Sequence, residues 1–279
     1  MNIASNGIRI HVEEQGRGEL ALVFLHYWGG SSRTWRHVTT ALASSYRTVA
    51  VDHRGWGKSD APLGGYGLED LAADALGVIE ALDLKSYILV GHSMGGKVAQ
   101  LLASRRPKGL AGMVLVAPSP PSPMAMPVEA RERMAKAYSS REAVERTLDH
   151  VLTTKPLSAE DREQVIADSL GGSPQAKAAW PRLTSQEDIT GQVAAIDAPT
   201  LVIAGELDRV DSVDTLKVEL MPLIPQAVLK VLPGTGHLSM LETPQAVTRL
   251  IEAFARSLRG ATSSSTAAEV AALIEKAAQ

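Results

Sequence analysis

The chain has no cysteine among its 279 residues, which excludes a disulfide framework, thiolate metal ligands and a thiol nucleophile and leaves oxygen and nitrogen to carry any chemistry. Positive charge is not in excess either: 28 Lys and Arg stand against 31 Asp and Glu, a net charge of −3. Such a balance has no field to hold a phosphate backbone or an anionic leaflet, so neither nucleic acid nor membrane is expected as a partner. No apolar run approaches the ~18–20 residues that a bilayer span needs, and residues 1–10 lack the basic start and apolar core of a secretion signal. The expectation is a soluble, cytoplasmic protein. Aromatic residues are scarce at 4%, whereas the hydrophobic share of 45% suits a globular chain with one large domain, or one domain carrying an insertion.

Short apolar runs recur at Ala21–Leu25, Arg47–Val51, Tyr87–Val90, Met113–Val116, Leu201–Ala204 and Val228–Val231, ending at Gly, Asp, Pro or His. Continuous runs of this kind suit strands buried on both faces. Helical patterns lie between them at Thr34–Ala43, Leu68–Leu82 and Val98–Ala103, and strand alternating with helix implies a parallel, doubly wound α/β sheet. Ile8–Glu13 alternates in polarity, as an antiparallel edge strand does. The alternation stops at a proline-rich stretch, Pro118 to Pro127, and a polar helical segment follows to Ile196. The expected organisation is a core over 1–118 and 197–260, a helical cap inserted at 119–196, and a C-terminal linker and helix over 261–279. That last helix docks on the body or frays, with a homodimer contact as the alternative.

Ligands of parallel sheets collect at the carboxyl ends of the strands. One such end carries Gly91-His92-Ser93-Met94-Gly95-Gly96, a G-x-S-x-G sequence between strand and helix that makes Ser93 the candidate nucleophile. Serine needs a base, and the base an orienting acid. Of seven histidines, His237, in the glycine-rich loop Pro233–His237 after the last strand, is the candidate base. His11, His37 and His150 read as solvated or packed, His92 cannot fold back onto its neighbour, and His26 and His53 come early. Asp208 follows the Leu201 strand and is the candidate acid; Glu206 and Asp211 are its rivals, Asp211 reading as a helix N-cap. The backbone N–H groups of Met94 and Trp28 are candidate oxyanion donors, the latter in the loop His26-Tyr27-Trp28-Gly29-Gly30. Gly55-Trp-Gly57-Lys58-Ser59 imitates the tail of a phosphate-binding loop, but Asp52 stands where its leading glycine belongs, and Gly91–Gly96 lacks dinucleotide spacing. No ligand cluster suggests a metal.

Together these residues resemble the α/β-hydrolase fold family over roughly 7–260, in which an elbow serine, an acid after a later strand and a late histidine follow in that order. Asp52-His-Arg54-Gly55-Trp-Gly57-Lys-Ser59 is similar to that family's D-x-R-G-x-G-x-S turn and reads as structural. The resemblance implies a cofactor-free serine hydrolase acting on a carboxylic ester or lactone of a small apolar molecule. Perhydrolysis and carbon–carbon bond hydrolysis on the same triad are alternatives, and a small-molecule receptor that keeps the triad is the competing class. The chain departs from the family at Tyr27, where the oxyanion loop commonly has glycine. Either the loop is rotated or the Tyr27 hydroxyl enters the site. Tyr27, Trp28, Tyr138 and Trp180 are the candidate substrate-pocket residues.

Overall fold

The computed structural model describes residues 1–260, so the linker and helix expected over 261–279 lie outside the described residues. The strands are β1 (Asn2–Ser5), β2 (Ile8–Gln15), β3 (Leu20–Leu25), β4 (Arg47–Val51), β5 (Ser86–His92), β6 (Leu110–Val116), β7 (Thr200–Gly205) and β8 (Ala227–Leu232). They form one sheet in the order β1-β2-β4-β3-β5-β6-β7-β8, parallel from β4 to β8 and antiparallel at β1 and β2. Each expected apolar run is a strand of this sheet. The edge differs: β2 is covered by β1, which sequence polarity did not announce. Asn6 and Gly7, at φ 47° and 78°, close a tight hairpin whose turn favours an Asn-Gly pair.

Period-2 alternation feeds two separate cores. In β3, Ala21, Val23 and Leu25 join the core beneath α2 (Leu68–Ala81) and α3 (Met94–Ser104). Leu20, Leu22 and Phe24 point to the opposite face, beneath α1 (Arg36–Leu42) and α11 (Pro244–Gly260). Leu68, Leu71, Ala72, Ala75, Val78 and Ile79 bury one stripe of α2, each large side chain stabilising by roughly 1.5–3 kcal/mol. Val247, Leu250, Ile251, Phe254 and Ala255 do the same for α11.

Between β6 and β7 the described chain is helical: α4 (Val128–Met134), α5 (Arg141–Thr147), α6 (Ala159–Gly171), α7 (Pro174–Arg182) and α8 (Thr190–Val193). The fold is thus a mostly parallel α/β sheet with a helical insertion over the carboxyl ends of its strands. Among the described residues no helix is long and apolar enough to cross a membrane. α9 (Val213–Glu219) and α10 (Ser239–Glu242) follow β7 and β8.

Candidate active site

At the end of β5 the backbone turns sharply into α3, and Ser93, at the corner, has φ 52° and ψ −115°. A non-glycine residue held there stores about 1–3 kcal/mol of strain and persists only where its surroundings fix it. They do so here by close approach: a Cβ on Gly91 would collide with the Gly95 carbonyl, and one on Gly95 would lie 2.5 Å from the Leu25 carbonyl oxygen. The Ser93 N–H donates to the Val116 carbonyl at 3.2 Å and the Ser93 carbonyl accepts from Ser119 N–H at 3.1 Å. This leaves the hydroxyl facing a cavity of about 930 Å³ under the helical insertion.

His237 lines the same cavity, and its Nδ1 meets Asp208 Oδ2 at 2.8 Å. Asp208 Oδ1 is held by the N–H groups of Val210, at 2.8 Å, and Asp211, at 3.2 Å. The two loops are laced together, Leu207 N–H donating to the Thr235 carbonyl at 2.9 Å and Gly234 N–H to Glu206 at 2.7 Å. Glu206 is thus spent on the histidine loop's backbone. Burial lowers the His237 pKa, but the Asp208 charge and hydrogen bond, with Asp211 and Glu242 behind them, outweigh it and leave the imidazole above its usual value. Ser93 Oγ and His237 share the cavity wall without a hydrogen bond between them, a spacing common before substrate draws a site together.

Asp211 corrects one expectation. It is not the N-cap of the next helix; Ser212 is, its hydroxyl accepting from Thr215 N–H at 3.1 Å. Asp211 instead is buried in the cavity wall.

In the loop after β3 the Trp28 N–H donates to no protein acceptor among the described residues, and the Met94 N–H, first in α3, has no intrahelical partner. The Trp28 carbonyl accepts from the Tyr138 hydroxyl at 3.0 Å, its indole donates to the Lys177 carbonyl at 3.2 Å, and the two rings stack with centroids 4.2 Å apart. Gly29 has no side chain because the Tyr138 ring occupies that space. The Tyr27 ring folds back over Gly30, where a Cβ would lie 2.6 Å from its Cε1, and packs 5.1 Å from the His92 ring. The Tyr27 hydroxyl is buried without a hydrogen-bond partner, and burial, helped by the Asp168 charge, holds it well above the ordinary phenol range. The ring thus folds back onto its own loop, and the glycines that allow close packing there are Gly29 and Gly30.

Two histidines set aside in sequence brace this frame. His26 Nε2 accepts from His53 N–H at 3.0 Å, so Nδ1 carries the hydrogen and donates to the Tyr27 carbonyl at 2.7 Å. Burial drives its pKa down to about 4. His92 Nε2 donates to the His237 carbonyl at 3.0 Å, tying the strand that ends at Ser93 to the His237 loop. Neither role has a sequence pattern, because each depends on a backbone group distant in the chain, the His53 N–H for His26 and the His237 carbonyl for His92.

All four aromatic candidates, Tyr27, Trp28, Tyr138 and Trp180, line the cavity with Met124, Met126, Met134 and Leu152. His150, read as solvated or packed, lines it too. Arg133, Lys136, Arg146 and Arg209 border it and are exposed. None of the four pairs with a carboxylate among the described residues. The Asp52 turn is structural: its carboxylate accepts from Ser32 N–H at 2.5 Å and Lys58 N–H at 2.8 Å, and Arg54 forks onto buried Asp74 with both bonds at 2.6 Å.

A serine on a strand-to-helix corner, a bonded His-Asp pair on later loops and an eight-stranded sheet beneath them define a class. The chain belongs to the alpha/beta hydrolase family, whose sequence profile matches residues 22–250. A non-heme haloperoxidase from Rhodococcus erythropolis is 31% identical over 253 residues, 84% of this chain and 91% of that one. A 2-hydroxy-6-oxononadienedioate/2-hydroxy-6-oxononatrienedioate hydrolase from Cupriavidus pinatubonensis is 30% identical over 263 residues, 88% of this chain and 90% of that one. Among solved structures, a thermophilic esterase from Thermogutta terrifontis superposes with a TM-score of 0.81 at 26% identity, covering 92% of this chain and 98% of that one.

Proposed function

We propose that this hydrolase cleaves a carboxylic ester or lactone of a small, largely apolar substrate through an acyl-enzyme on Ser93. Ser93 Oγ attacks the carbonyl carbon while His237 takes its proton, and Asp208 holds the imidazole in the required tautomer and stabilises the imidazolium. The oxyanion accepts hydrogen bonds from the Trp28 and Met94 N–H groups. Collapse expels the alcohol, which takes the proton from His237. Water, deprotonated by the same base, then releases the acid and restores the serine. The observation that carries this reading is the strained Ser93 corner opening on one cavity with the His237–Asp208 pair. That cavity, of about 930 Å³, is at the upper end for small-molecule sites, and its methionine and aromatic lining favours apolar groups.

Labelling with a fluorophosphonate, followed by turnover of an activated ester, tests the proposal. Wild type should label and release product continuously, and Ser93→Ala should do neither, its ester turnover falling by ~10⁴ or more. Undiminished labelling of Ser93→Ala would remove Ser93 as nucleophile. Labelling without steady-state release would favour a receptor. The similarity to a haloperoxidase supports a second reading, perhydrolysis, in which hydrogen peroxide replaces water in the second step; peracid formation from acetate and peroxide at neutral pH distinguishes it.

A further inference from the structure

Three residues beyond Asp208 the chain puts a second carboxyl into the wall of the cavity. Asp211 is 4% exposed, and neither oxygen has a hydrogen-bond partner among the described residues, Oδ2 being wholly buried. Its charged neighbours bond to other groups and none of them bonds to its carboxyl. His237 Nδ1 is held by Asp208 at 2.8 Å, and Lys97 donates to the Ser122 carbonyl at 2.9 Å. Glu219, on α9, accepts from the Ser122 hydroxyl. The charged groups facing Asp211 are thus His237 on its loop after β8, Asp208 on its own loop, Lys97 on α3 and Glu219 on α9.

A buried carboxylate without a donor, beside another carboxylate, is unfavourable and takes up a proton. Burial first, then Asp208 and Glu219, push its pKa up to about 8 against the pull of His237 and Lys97. Around neutral pH the group is a carboxylic acid, and an acid in a cavity wall is a hydrogen-bond donor without an acceptor.

We infer that Asp211 is a substrate-binding residue that donates a hydrogen bond to an acceptor oxygen on the leaving-group side of the substrate, next to His237. It selects esters and lactones whose alcohol portion carries an ether, hydroxyl or carbonyl oxygen over those with a plain hydrocarbon chain. The inference rests on Ser93 being the acyl-transfer nucleophile, since that assigns His237 to the leaving alcohol. A buried donor left unpaired by the wrong substrate discriminates more sharply than a hydrophobic wall does.

Butyl butanoate and 2-methoxyethyl butanoate differ by one CH2 exchanged for oxygen and test this directly. Dividing each kcat/KM by the ester's alkaline hydrolysis rate removes intrinsic reactivity. Wild type should then favour the methoxyethyl ester by about tenfold or more, chiefly in KM, and Asp211→Asn, which keeps a donor but cannot ionise, should retain that preference. Asp211→Leu should lose it. Above pH 8 the preference should fade in wild type and persist in Asp211→Asn. An unchanged ratio in Asp211→Leu, or stronger binding of the 2-aminoethyl ester, overturns the inference. Should Asp211→Leu fail to fold, the pH comparison of wild type with Asp211→Asn decides. Calorimetric binding of both esters to Ser93→Ala measures the same ratio without turnover. A wild type that hydrolyses neither ester therefore counts against the Ser93 reading, while the binding ratio still judges Asp211.

Discussion

In the proposed mechanism His237 must be neutral to accept a proton from Ser93, and its surroundings favour the opposite state. Its pKa lies above the ordinary 6.5 because the Asp208 charge and hydrogen bond outweigh burial, so neutral imidazole accumulates as pH rises. The acid limb of kcat/KM should therefore be centred above pH 6.5 in a pH–rate profile; a limb near pH 5 would contradict it. Asp208→Asn should lower kcat by about 10⁴-fold, because an amide holds the wrong tautomer and stabilises no imidazolium, while Glu206→Gln, altering only a bond to Gly234, should stay within about tenfold. Steady-state kinetics of the two variants separates the acid from its loop neighbour. Tyr27→Phe removes a hydroxyl that is buried and unpartnered, so kcat should fall less than about fivefold; a hundredfold fall would mean that the hydroxyl serves the oxyanion after all. The placement of Ser93 on a strand-to-helix corner and of Asp208 beside His237 was legible in sequence because an elbow requires glycines at fixed spacing and because their strand ends appear in order. Asp211 was not, since a carboxylate two residues before a helix reads the same whether it caps that helix or turns inward.

Elements were legible where their own periodicity decided them. The buried strands announced themselves by composition, and α2 by its apolar stripe. β1 did not, for four residues are too few to show a period; the Asn6-Gly7 pair was the signal to weigh, because both positions need positive φ. α11 carries a complete i, i+3, i+4, i+7 stripe from Val247 to Phe254 and was readable in principle. The Asp52 to Ser59 turn holds strands and helices in register through Arg54, which reaches across to Asp74 on α2 with both partners buried. Arg54→Met should therefore lower unfolding stability by about 3–5 kcal/mol, since it strands a buried carboxylate. Urea denaturation at neutral pH checks this, and a loss below 1 kcal/mol would show that the Asp74 carboxyl finds other relief.

Over the whole molecule a net charge of −3 hides a local reversal, because Arg133, Lys136, Arg146 and Arg209 border the cavity without acidic partners among the described residues. Charges a Debye length apart are screened by salt, about 10 Å at 0.1 M. The KM of an ester with a terminal carboxylate should accordingly rise between 0.01 and 0.5 M NaCl, and that of its neutral counterpart should not; equal salt response in the two would show that the basic rim does not act on substrate. No composition argument could have found that rim, since it is assembled from separate helices of the insertion and the loop after β7. The insertion is also fastened to the loop after β3. Tyr138 and Lys177 grip Trp28, Ser169 donates to the Gly29 carbonyl at 2.9 Å, and Asp168 takes Ser31 at 2.8 Å together with Arg33. Movement of these helices away from the sheet would have to break those bonds or displace the Trp28 loop with them. On the proposed mechanism, in which the Trp28 N–H is an oxyanion donor, the insertion and the reacting carbonyl would then share one anchor.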